Sequence, residues 1–133
     1  MDAQEKYEYW LDTAEYDLVT AEAMLKAGRW LYVVFTCQQA IEKLSKGLYT
    51  LYIDDNVPYT HNISGLIEKI EKLLPEPVTD ERYNLFESLT SHYLNGRYAN
   101  FKQKLNERLS ERVATDYLER SKEAFAWLLT MKP

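Results

Sequence analysis

Two long apolar stripes at helical spacing, with almost nothing between them, constrain this chain most. From Ala3 to Lys26, apolar side chains recur at Ala3, Tyr7, Trp10, Leu11, Ala14, Leu18, Ala21 and Leu25, and steps of three or four put them on one face of a helix. From Trp30 to Ile53 a second stripe runs through Val33, Cys37, Ala40, Ile41, Leu44, Leu48 and Leu51. Only "KAGR" separates the two, and its Gly28 can take the left-handed conformation that closes a helix. The turn is therefore expected at Ala27 to Arg29, with the two helices antiparallel. In isolation "WLYVVF" would suit a strand. The helical stripe passes through it unbroken, however, and no other segment alternates at strand period to pair with it.

The rest of the chain continues the pattern in shorter pieces. "DDNVPYTHN" reads as a loop that ends with Thr60 or Asn62 available to cap a third helix, whose stripe is Ile63, Leu66, Ile67, Ile70 and Leu73. After "PEPVTD", Thr79 can cap a fourth helix, with Asp80 and Glu81 at its positive end and Leu85, Phe86, Leu89 and Tyr93 as its stripe. Asn95 and Gly96 in "LNGRYANF" are expected to interrupt that helix. A last helix, from about Phe101 or Leu105 to Met131, should bury Val113, Ala114, Tyr117, Ala124, Leu128 and Met131. The fold class that follows is all-α, an up-and-down bundle of four to five antiparallel helices. At 133 residues, without a repeat or a linker, the chain is expected to form a single domain over 1–133.

Charge and composition remove several classes of function. With 16 Lys+Arg against 21 Asp+Glu, the formal charge is −5, so there is no broad basic field for a nucleic-acid backbone and any RNA contact must be local. The longest apolar run is far short of the ~20 residues that cross a bilayer. The opening "MDAQEKYEYW" has neither a basic n-region nor an apolar h-region, and the lone Cys37 has no disulfide partner, so a cytoplasmic location without membrane attachment is expected. His61 and His92 lack metal-ligand partners at helical or finger spacing, and no phosphate loop or nucleophile elbow is present. No metal and no cofactor are expected, and Cys37, on the apolar stripe, reads as an inert buried thiol.

Three polar features remain. In "QQAIEKLSKGLY", Glu42 and Lys46 are four apart in the favourable order for a surface ion pair worth ~0.3 to 0.5 kcal/mol. With Ala40, Ile41, Leu44 and Leu48 inward, Glu42 and Lys46 point the other way and Lys43 lies to the side; Gly47, at the edge of the core face, suggests close approach of another backbone. In "YTHNISGL", His61 precedes a helix and can hydrogen-bond the loop or the helix start. In "YLNGRYAN", Arg97 follows a glycine between Tyr93 and Tyr98, where it can brace tyrosines or hold a phosphate in its planar fork.

In their order along the chain these pieces resemble the HEPN family of small helical domains, often encoded beside a minimal nucleotidyltransferase. The resemblance rests on "AEYDLVTAEAML" with Asp17 and Leu18, on "CQQAIEKLSKGLY" with Gln39, Ala40, Glu42, Lys43 and Lys46, on the Thr-His of "YTHNISGL", and on "YLNGRYAN" at the family's Arg-Tyr position. It implies a bundle of four or five helices, a homodimer, and a groove near the two-fold axis, so that Glu42, Lys43 and Lys46 face either solvent or that groove near Arg97. Many members are ribonucleases, often toxins, with an Arg-x4-6-His motif whose arginine takes the phosphate and whose histidine does acid-base work. Here "YANFKQKL" follows Arg97 with no histidine, Ala99 stands where the family's proline is expected, and nine residues separate Arg82 from His92.

Without that histidine the chain reads as a non-catalytic module. It is expected to bind a nucleotide or other phosphate-bearing ligand, a minimal nucleotidyltransferase partner as in toxin-antitoxin pairs, or both, with Arg97, Tyr98, Lys43, Lys46, Glu42 and His61 as candidate ligand-binding residues and no catalytic residue. Two alternatives stand beside it: a ribonuclease that recruits His61 or His92 as a substitute group, and a purely structural dimerisation module in which Leu31 and Phe35 are covered by another helix or a second subunit.

Overall fold

The structure, a computed structural model, describes residues 1–97, 100 and 102–133. Its helices are α1 (Ala3–Lys26), α2 (Trp30–Tyr52), α3 (Ile63–Ile70), α4 (Asp80–Arg97) and α5 (Lys102–Leu129), with a short 3-10 turn at Glu71–Leu73. No strand occurs among the described residues. Tyr98, of the expected site, and Phe101, an expected start of the last helix, lie outside the described residues.

The α1–α2 hairpin forms as its sequence dictates. Asp2 caps α1 by accepting from the Glu5 amide at 2.8 Å, and the Glu5 carboxylate accepts in turn from the Asp2 amide at 3.3 Å, which satisfies two otherwise orphaned donors. Gly28 closes the helix at φ +71°, and the Arg29 amide reaches back to the Met24 carbonyl at 2.9 Å. The start of α2 has no side-chain cap of its own. Asn106 of α5 supplies one, accepting from the Leu31 amide at 2.9 Å and donating to the Gly28 carbonyl at 3.2 Å.

α2 is the axis of the bundle, packed by α1, α3, α4 and α5. Its Val33, Cys37, Ala40, Ile41, Leu44 and Leu48 are fully buried, with Ala14 and Ala21 of α1 and Ala114, Ala124 and Leu128 of α5 in the same core. Leu31 and Phe35, on the far side of the stripe, are covered within this chain. A Cβ added at Gly96 of α4 would meet the Phe35 ring at 2.9 Å and Leu31 at 3.1 Å, so only glycine lets α4 lie this close. Gly47 plays the same part against α1, where an added Cβ would stand 3.1 Å from both Tyr7 and Trp10; the approach is by side chains, not by backbone.

Four expectations are corrected. Asn95 and Gly96 do not interrupt α4, which runs on to Arg97 because the glycine is needed for packing rather than for a turn. Val113 is exposed at 36%, since Ser110 at φ +59° kinks α5 and shifts its face, leaving Ala114 and Tyr117 inward. Leu73 and Ala3 fall at helix ends beyond the core and are exposed. Glu42 and Lys46, expected outside the core and facing either solvent or a groove near Arg97, are buried within this chain, at 3% and 9% exposed. The second side of α2 is itself an interior, because the loop before α3 closes over it.

Candidate Arg97–His61 site

The site begins at Gln38, a fully buried amide on α2. Its nitrogen donates to the His61 carbonyl at 2.6 Å and its oxygen accepts from the Thr90 hydroxyl of α4 at 3.1 Å. One side chain thus ties the loop before α3 to both α2 and α4, through bonds that a buried amide needs in any case. Asn62 then caps α3 by accepting from the Gly65 amide at 3.1 Å, which leaves His61 just ahead of the cap, outside the helix.

So held, the His61 ring lies between α2 and α4. Its Nδ1 is 3.0 Å from Glu42 Oε1, and its Nε2 is 3.1 Å from Arg97 Nη1. These two contacts determine the tautomer. A guanidinium has donors only, so Nε2 accepts from Arg97; the ring proton is therefore on Nδ1, donated to the Glu42 carboxylate. The other Glu42 oxygen accepts from Lys46 at 3.1 Å, and Lys46 also lies 5.9 Å from the centre of the Trp10 ring. A carboxylate at this depth needs such partners.

Aromatic rings frame the outer end. Tyr93 packs on His61 at 5.2 Å and on Phe35 at 5.3 Å between ring centres, and the Arg97 guanidinium is 5.8 Å from the Tyr93 ring. Tyr59, fully exposed, stands 6.4 Å from His61. Arg97 itself is exposed. The line Lys46, Glu42, His61, Arg97 therefore runs from the interior to the surface and carries two cations, one carboxylate and one neutral ring.

Of the expected site residues, Glu42, Lys46, His61 and Arg97 come together. Lys43 does not join them: it pairs with Asp17 of α1 at 2.6 Å, on another side of α2. Nor does His92, whose Nδ1 donates to the Ser88 carbonyl at 2.9 Å and whose ring rests on Tyr117 of α5. Sequence reasoning missed Gln38 and Thr90. The one available signal was Gln38 itself, a polar residue beside Cys37 on the apolar stripe of α2. No group of three or more metal-ligating side chains occurs among the described residues. No helix among them is long and apolar enough to cross a membrane.

An all-α bundle in which segments from α1, α2, the loop before α3 and α4 are joined by Asp17–Lys43 and by Glu42–His61–Arg97 defines a class of small helical domain with a surface arginine backed by a buried carboxylate. Residues 7–131 match the HEPN domain family, and the chain belongs to it. In fold it is similar to TT1696 from Thermus thermophilus, a crystal structure with a TM-score of 0.77 and 22% identity, covering 95% of this chain and 98% of that one. No curated protein matches the chain.

Proposed function

We propose that this HEPN domain is a non-catalytic module that binds a phosphate-bearing ligand, a nucleotide or an RNA phosphate, at Arg97 and His61. The observation that carries the reading is the exposed Arg97 guanidinium, held against His61 Nε2 at 3.1 Å while Glu42 fixes the other ring nitrogen. The guanidinium fork matches a phosphate, and the Tyr93 ring beneath it limits the freedom that binding would otherwise cost. Lys46 contributes by holding Glu42 rather than by touching ligand. Lys43, committed to Asp17, belongs to the hairpin rather than the site. A homodimer and a minimal nucleotidyltransferase partner in the cytoplasm, in the manner of toxin-antitoxin pairs, accompany this reading on the family resemblance.

Calorimetric titration with ATP, GTP and AMP tests it. Binding is expected in the wild type and should weaken about 10- to 100-fold in Arg97→Ala, as for loss of a charged hydrogen bond. Equal affinities in the two proteins would remove Arg97 from the site. Light scattering and pull-down of the adjacent gene product test the dimer and the partner.

The same contact favours a second reading. A histidine whose Nδ1 proton is fixed by a carboxylate presents Nε2 as a base, and beside an arginine that arrangement could cleave RNA through the 2′-hydroxyl, with His61 in place of the family's missing histidine. Labelled RNA should then be cut by the wild type and about 10²- to 10⁴-fold more slowly by His61→Ala. Indistinguishable background rates in the wild type, His61→Ala and Arg97→Ala would leave only the binding module.

A further inference from the structure

Resting on that phosphate-binding reading, we infer that the site takes its ligand together with one proton from solvent, held between His61 Nε2 and a phosphate oxygen. In the free protein Arg97 Nη1 donates to Nε2, so that nitrogen carries no hydrogen and its lone pair is directed towards the surface. A phosphate that takes over the Arg97 fork brings its own acceptor oxygens to the same edge of the ring. Two acceptors then face each other with no hydrogen between them.

A proton on Nε2 resolves the conflict. The imidazolium donates Nε2–H to the ligand and keeps Nδ1–H on Glu42 Oε1, 3.0 Å away. The new positive charge lies between a buried carboxylate and an anionic ligand, both of which favour it. An N–H bond forms at Nε2, no heavy-atom bond changes, and the proton comes from water or buffer.

The groups facing the ring are Glu42, with Lys46 behind it, from α2; Arg97 and Tyr93 from α4; and Tyr59 from the ring's own loop. Histidine is the side-chain type among these whose charge ordinarily changes near neutrality. The ligand class follows from the same chemistry: an oxyanion that carries no proton of its own at the working pH, either a terminal phosphate monoester in its dianionic form or a phosphodiester.

Calorimetry at pH 8 in buffers of different ionisation enthalpy decides the matter, with AMP as the monoester and the dinucleotide ApA as the diester. The wild type should take up close to one proton per ligand bound, and its affinity should fall as pH rises, by about tenfold per unit while one proton accompanies each ligand. The probe that binds identifies the phosphate class. His61→Gln, which keeps a donor for Glu42 but cannot gain a proton, should bind more weakly with no uptake and no pH dependence. Binding by the wild type without proton uptake would overturn the inference and leave the phosphate site intact. Uptake that persists in His61→Gln would place the proton elsewhere and overturn it too. No binding of either probe would overturn the inference, and no binding of ATP or GTP as well would overturn the reading beneath it.

Discussion

Lys43 and Lys46 stand three positions apart on α2, and each is paired with a carboxylate, yet the pairs differ in kind. Lys43 meets Asp17 across the α1–α2 hairpin, with side chains 24% and 18% exposed, and the pair ends there. Lys46 meets Glu42 at 11% and 4%, and Glu42 hands the contact on through His61 to Arg97 at the surface. The first pair joins two helices and can exchange its partners for water. The second cannot, because removing Glu42 or Lys46 leaves a buried charge uncompensated. An ion pair closed on itself reads as architecture, whereas one that opens at the surface on an arginine reads as support for a site.

The largest effect is expected from truncating the buried carboxylate. Glu42→Ala orphans both Lys46 and His61 and is expected to cost about 3 to 5 kcal/mol in urea unfolding. A loss below about 1 kcal/mol would mean that water already reaches the pair.

Cys37, also on α2, is fully buried, and burial pushes its thiol up to about 12 from an ordinary 9.0, against a smaller opposing pull from Ser121 and Lys122. Between those values only the unfolded chain ionises and releases the proton, so stability is intact below pH 9.0 and falls as pH rises, by about 1.4 kcal/mol per unit up to about pH 12. Urea melts at about pH 8 and about pH 10.5 should separate the wild type from Cys37→Ala, the wild type losing more. Parallel losses would show that the thiol ionises freely in the folded protein.

Gly96 tests whether α4 is seated by its glycine. Gly96→Val drives side-chain atoms into Phe35 and Leu31 and should cost about 1 to 3 kcal/mol while displacing Arg97. An unaltered melting curve with unaltered ligand affinity would contradict that packing. The smallest effect is expected at the closed pair: Asp17→Asn should cost about 1 kcal/mol or less and leave ligand affinity unchanged. A large loss of affinity would return Lys43 to the site.

Much of the fold was legible because it depends on local rules. Apolar periodicity located α1, α2 and α3, Thr79 caps α4 as its position suggests, accepting from the Arg82 amide at 3.2 Å, and the glycine turn falls at Gly28. The failures are long-range. Nothing near Leu31 in sequence announces that Asn106 will cap α2, and nothing near Glu42 announces that the loop before α3 will cover it. A helical wheel assigns one inward face, but α2 is surrounded, so its second face holds the Glu42–His61 contact rather than solvent. His61 and Arg97 could each be singled out from sequence, yet their meeting across 36 positions is a property of the fold.

His61 is held as a neutral ring, with Nδ1–H on Glu42 and an unprotonated Nε2 at Arg97, and the proposed phosphate would meet it there. Imidazole nitrogen chemical shifts of labelled protein at pH 8 read that state directly. The Nδ1–H tautomer is expected in the free protein, with conversion to imidazolium when AMP or ApA is added to saturation. An Nε2–H tautomer in the free protein, or a ring that remains neutral with ligand bound, would contradict it.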